Sequence, residues 1–161
     1  MPDEKKKQVR FADCYVLTNL RTKRFILSFL EAFIPNRQEY TRTYEIPQFS
    51  EQPVIVLSSA EELMGYLEQN RETPHAIYWS NTIEENLHGA MCIFTTDGQV
   101  ILGLICETAY PDVTIETEYL DKLMGFCKST KGLIEYEKPA AEDTAAFLER
   151  LQVYSQSSNK T

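Results

Sequence analysis

Hydrophobic and polar positions are most tightly ordered between Gly89 and Glu107. Two apolar runs, Ala90-Met91-Cys92-Ile93-Phe94 and Val100 to Cys106, flank the polar stretch Thr95-Thr96-Asp97-Gly98-Gln99. An Asp-Gly pair between strand-like runs predicts a β-hairpin, because Gly takes positive φ without steric cost and Asp tolerates it. Apolar residues fill odd and even positions alike, so protein is expected to cover both faces of the hairpin, placing it at the centre of a sheet.

The remaining segments arrange themselves around this hairpin. Residues 11–20 read as a first strand. Thr22 is placed to cap a helix whose Phe25, Ile26, Phe29, Leu30, Phe33 and Ile34 form a wide stripe for packing on the sheet, and Pro35 stops it. Tyr40 to Ile46 alternates and ends at Pro47, an edge-strand pattern, while Val54-Ile55-Val56-Leu57 reads as a buried strand. Ser59-Ala60-Glu61-Glu62 has the capping-box spacing and opens a helix bearing Leu63, Met64 and Leu67, closed by Arg71 to Pro74. His75 to Trp79 is a strand entering a polar loop from Ser80 to His88.

Beyond the hairpin, Thr108 to Asp112 forms a turn. Thr117 is expected to cap a helix carrying Leu120, Leu123, Met124 and Cys127, with Lys131-Gly132 as its left-handed stop. Leu133 to Glu137 is a short last strand, and a final helix from Pro139 to about Tyr154 turns Phe147, Leu148 and Leu151 inward. Neighbouring strands occur where strict βαβ alternation would place helices. The pattern predicts an α+β fold: a largely antiparallel sheet of six to seven strands built around the Asp97-Gly98 hairpin, with about four helices packed on it. No repeat or composition break interrupts residues 1–161, so one domain is expected, with flexible tails at about 1–10 and 155–161.

With 43% hydrophobic and 25% charged residues, the composition argues against general disorder. No apolar run approaches the ~20 residues of a membrane span, and no apolar region follows Met1 to Lys7, so a cytoplasmic protein without a membrane role is expected. Cys14, Cys92, Cys106 and Cys127 sit in apolar-periodic segments without a C-x-x-C pair and read as reduced, buried thiols. A two-residue turn sets Cys92 opposite Gly103 and a three-residue loop sets it opposite Leu102. Cys106 then lies roughly 10–13 Å away in either register, beyond disulfide reach.

The net charge of −8 conceals an asymmetry. Residues 1–24 hold seven bases against three acids, and the remainder nine bases against 21 acids, or +4 and −12. Such a body repels nucleic-acid phosphates and attracts basic proteins, so a basic protein partner is expected and no nucleic acid. Lys5-Lys6-Lys7 reads as a solvated tail.

Candidate chemistry is sparse. A nucleophile built from Cys92, Cys106 or Cys127 with His75 or His88 requires an accessible thiolate, which apolar and acidic surroundings oppose. His75 and His88 show no metal-ligand spacing, and Gly98, Gly103, Gly125 and Gly132 fit no phosphate-binding pattern, so neither metal nor cofactor is expected. What remains is surface-like. Tyr78-Trp79-Ser80-Asn81 enters the polar loop containing Glu84 and Glu85, and Glu107, Asp112, Glu116, Glu118 and Asp121 follow without an intervening base until Lys122. Two readings stand: Trp79 is core and the acids a solvated face, or Tyr78, Trp79 and Asn81 anchor a partner inside an acidic rim.

The leading functional expectation is a non-enzymatic acidic module that masks a basic partner, as an inhibitor or immunity-type protein does. A rival is a small-ligand-binding or hydrolytic enzyme assembled from dispersed residues such as His75, His88, Glu107 and Asp112. A third is a homodimeric structural subunit joined through an edge strand.

Overall fold

The computed structural model describes residues 10–158, and its chain order is β1 (Arg10–Thr18), α1 (Lys23–Phe33), β2 (Arg37–Glu39), β3 (Tyr44–Ile46), β4 (Ile55–Leu57), α2 (Ala60–Gln69), β5 (His75–Asn81), β6 (Leu87–Phe94), β7 (Val100–Thr108), α3 (Thr114–Cys127), β8 (Gly132–Glu135) and α4 (Thr144–Ser158). Six strands form one antiparallel sheet in the order β2-β5-β6-β7-β1-β8, and β3 and β4 form a separate two-stranded arm. This is the α+β architecture expected, with four helices. Most of the two tails lies outside the described residues, although Arg10 already belongs to β1 and α4 continues to Ser158.

The β6–β7 hairpin sits at the sheet centre, and its loop follows from Gly98. Gly98 has φ 82, Thr95 N donates to Gln99 O at 3.0 Å, and Cys92 stands opposite Leu102. Of the two registers considered, this is that of the three-residue loop. Side chains then alternate between two cores. Cys14, Val16, Ile77, Trp79, Cys92, Phe94, Leu102 and Leu104 pack with α1, α2 and α3 on the first face. Tyr15, Leu17, Met91, Ile93, Ile101 and Leu133 pack with Ala141 and Phe147 on the second. All four cysteines are free and buried.

Helix starts follow local hydrogen bonding. Thr22 Oγ1 accepts from Phe25 N at 3.1 Å, and Ser59 Oγ accepts from Glu62 N at 3.1 Å, as their sequence patterns predict. The returning Glu62 carboxylate accepts from Ser58 N at 2.9 Å and from Ser58 Oγ at 2.7 Å. Helix α3 starts at Thr114, three residues before the expected cap, with Val113 at the N-cap position and no side-chain cap; Asp112 Oδ1 accepts from Thr114 N at 2.9 Å in the preceding turn. It ends at Lys128 in the left-handed region (φ 52), not at Gly132. Gly132 instead opens β8, where a Cβ would lie 2.7 Å from Met124 Sδ. Helix α4 begins at Thr144, with Asp143 Oδ1 accepting from Ala146 N at 2.7 Å, and Leu148 points outward.

The Val54–Leu57 run departs furthest from expectation. It joins only β3, and Val54 and Val56 are exposed. Periodicity records that a run is apolar without saying what covers it.

Arg21 ties the hairpin to α2. It is 1% exposed and stacks on Phe94, with its guanidinium carbon 5.0 Å from the ring centroid. Its Nη1 donates to the carbonyls of Arg71 (3.2 Å), Thr95 (3.1 Å) and Gln99 (3.2 Å), and Nη2 to that of Leu67 (3.0 Å). Burial, reinforced by the nearby charge of Arg71, lowers its pKa to about 10.

Candidate functional site

Strand alternation divides the expected anchor residues. Trp79 follows Ile77 onto the three-helix face and is 2% exposed, so it is core and cannot act as a surface anchor. Tyr78 points to the second face and is half-buried, with Tyr40 stacked beside it at 6.3 Å between ring centroids. Asn81 organises its own loop: Nδ2 donates to Glu85 Oε1 (2.7 Å) and Leu87 O (2.8 Å), and Oδ1 accepts from Ile83 N (3.1 Å).

Glu116 also leaves the rim. The early start of α3 turns it inward to 1% exposure, where Oε2 accepts from Tyr136 OH at 2.7 Å and Oε1 has no hydrogen-bond partner. Asp112 remains exposed, and its Oδ1 accepts from Thr114 N and Oγ1 in the turn that leads into α3. Glu107 meets His88 at 3.0 Å, and His88 lies at a bulge where the β6–β7 register shifts between Leu87 and Gly89.

The structure does gather most of the remaining acids. Glu107 N donates to Asn86 O at 2.8 Å, joining the β5–β6 loop to the end of β7. Glu85 and Glu118 both act on the Tyr119 phenol, whose pKa rises chiefly through burial. Glu84, Glu85, Glu107, Asp112 and Glu118 therefore occupy one end of the molecule, the end toward which β5 runs. Exposed apolar side chains stand among them: Phe11, Ile83, Tyr110 and Val113. Phe11 meets the His88 ring edge-on at 5.0 Å, and Arg10 stacks on Tyr110 at 4.6 Å and on Tyr136 at 4.2 Å. Phe11 and Arg10 alternate onto opposite faces of β1, so Phe11 and Tyr110 flank this end from two sides, with the Arg10 cation among the acids.

The rival site is not assembled. His75 lies at the opposite end of β5, five residues from Ser80 or roughly 16 Å along the strand. It is buried, its ring nitrogens contact the carbonyls of Ala76 (3.0 Å) and Glu45 (3.1 Å), and burial lowers its pKa, keeping it neutral. Among the described residues, no group of three or more His, Cys, Asp or Glu is arranged to hold a metal ion. No described helix is long and apolar enough to cross a membrane.

A second polar cluster, on the α4 face, escaped the sequence reading. Asp13 and Glu135 are register partners across β1 and β8. Arg150 Nη1 donates to Glu135 Oε1 at 2.9 Å and to Pro139 O at 2.7 Å. Burial raises the Asp13 carboxyl to about 6, a hydrogen bond with Tyr15 opposes the rise, and the charge of Glu135 adds to it. Burial also raises Tyr15 and Tyr78, and the charges of Asp13 and Glu142 act on Tyr78. A cleft of about 860 Å³ opens beside this cluster, between the Pro47–Phe49 loop and the segment leading into α4. The available signal was an acid inside each of two otherwise apolar strands, Asp13 in β1 and Glu135 in β8.

At the edge of this cleft, the Gln48 carboxamide substitutes for a neighbouring strand. Its Nε2 donates to Ala76 O at 3.1 Å, and its Oε1 accepts from Ala76 N at 2.8 Å.

No protein-family model, curated protein sequence or solved structure matches this chain, so the functional reading rests on the geometry alone.

Proposed function

We propose that this protein is a non-enzymatic binding module that uses its acidic end to mask a basic surface on another protein, in the manner of an inhibitor or immunity-type protein. One observation carries the reading: Glu84, Glu85, Glu107, Asp112 and Glu118 share one end of the molecule with the exposed Phe11, Ile83, Tyr110 and Val113. Carboxylates steer a cationic partner and set the association rate, while apolar side chains desolvated at the centre slow dissociation. The body charge of −12 acts in the same direction at longer range. The reading places the protein in the cytoplasm, where buried thiols stay reduced.

The test is affinity capture from native lysate at low and physiological salt, followed by rate measurements on the captured partner. Glu84→Lys combined with Glu118→Lys is expected to slow association by about 3–10-fold at low salt and to flatten its salt dependence. Ile83→Ala and Tyr110→Ala are expected to speed dissociation. Trp79→Ala and Glu116→Lys are unsuitable probes because both sites lie in the core. Captured proteins without a basic bias, or association rates indifferent to charge reversal, would remove the reading.

A further inference from the structure

The cleft on the α4 face has the size of a small-molecule site, at about 860 Å³. Its floor is apolar where Ala76 and Ile93 face each other across β5 and β6. Phe49 forms one wall, 88% exposed and held at φ 64. The left-handed region is disfavoured for an aromatic side chain. The loop thus holds a large ring in water beside an apolar floor in a backbone conformation few aromatic residues adopt.

The polar groups in and behind the cleft discriminate between ligand charges. Arg150 is committed to Glu135 and to the carbonyl of Pro139. Glu142 also lines the cleft, forms no ion pair among the described residues, and its charge reaches Tyr78. Asp13, on the third strand over from β5, does not line the cleft but adds its charge at longer range. An entering anion would meet the Glu72 and Glu142 carboxylates of the lining and a guanidinium already neutralised. A metal ion would find no cluster of three donors among the described residues.

We propose that this cleft binds a small organic amine, its apolar body lying between Phe49 and the Ala76–Ile93 floor and its ammonium group facing Glu142 and the Tyr78 hydroxyl. The site uses other residues than the acidic end and stands or falls separately from the partner-binding reading.

Phenethylamine and 3-phenylpropionate serve as probes, because they carry the same ring and opposite charges. Each is titrated into the full-length, isotopically labelled protein, and the amide shifts of Ala76, Tyr78, Ile93 and Ala140 are followed. Saturable shifts at these residues are expected with the amine, together with at least about tenfold weaker binding of the carboxylate. Glu142→Gln, at an exposed position, is expected to abolish that charge preference while leaving the spectrum folded. Phe49→Asn places a residue tolerant of positive φ at the site and is expected to weaken the amine by about 3–10-fold. Glu84→Gln, at the acidic end, should change neither. Absence of saturation at about 10 mM amine, equal binding of the carboxylate, or an unaltered preference in Glu142→Gln would each overturn the proposal.

Discussion

Replacing Arg21 by Met tests the most concentrated set of polar contacts in the fold. Met keeps an unbranched stem against Phe94 but supplies no donor to the four carbonyls that the guanidinium serves. Gln99 O retains Thr95 N and Thr95 Oγ1, each at 3.0 Å, so the loss falls on Leu67, Arg71 and Thr95. Leaving a buried carbonyl unsatisfied costs about 1–3 kcal/mol, which for three groups exceeds what releasing one guanidinium from burial returns. A net destabilisation of about 2–4 kcal/mol is therefore expected, given the partial relaxation a helix end and a loop allow. Urea unfolding followed by far-UV circular dichroism, with an unchanged m-value, measures it. Arg21→Lys should recover part of the loss, since an ammonium group has three donors but no planar fork. A loss below about 1 kcal/mol in Arg21→Met would show that water satisfies these carbonyls equally well.

Three further outcomes are expected. Gly98→Val should destabilise by about 1–3 kcal/mol, since a β-branched residue is strained at positive φ, and the new Cβ would lie 3.0 Å from Arg71 Nη2; an unchanged midpoint would contradict the turn geometry. All four thiols should react with Ellman's reagent only after denaturation, because each is buried in the sheet or its helices, and rapid native labelling of Cys92 or Cys106 would count against the core assignment. Asp13 ionises near 3.8 when unfolded and at about 6 when folded, so the native state retains a proton the unfolded chain has released and stability falls as pH rises between these values. Discounted for partial exposure, Asp13→Asn should gain about 1–2 kcal/mol at pH 8 and lack the decline, and parallel stability curves from pH 4 to 8 would refute the assignment.

What the sequence disclosed was mostly local. The Asp97-Gly98 hairpin was legible because its runs are apolar at every position, which happens when both faces are covered. Thr22 and Ser59 were legible because a cap acts within three residues of itself. Tyr78 and Trp79 could be assigned to opposite faces, yet the sequence did not say which face three helices would cover. Glu116 turned inward because α3 starts early enough to include it, one turn before Leu120 and two before Leu123 on the buried face; a helix capped at Thr117 would have left it outside. The convergence of Asp13 with Glu135 depends on β8 returning alongside β1, a pairing between strands over a hundred residues apart. That pairing exists only once the sheet is closed.

Gln48 has a bearing on how this protein behaves in crowded solution. The outer edge of β5 is paired by β2 at Trp79, Ser80 and Asn81 and by Tyr40 N at Tyr78 O, which leaves its first residues unpaired by a strand. At Ala76, one side-chain amide engages both the N–H and the C=O that an incoming strand would need. A foreign chain must displace two hydrogen bonds worth about 1 kcal/mol each before forming its first. The amide thereby acts as a plug against sheet extension, and it does so without adding charge beside the apolar floor of the cleft.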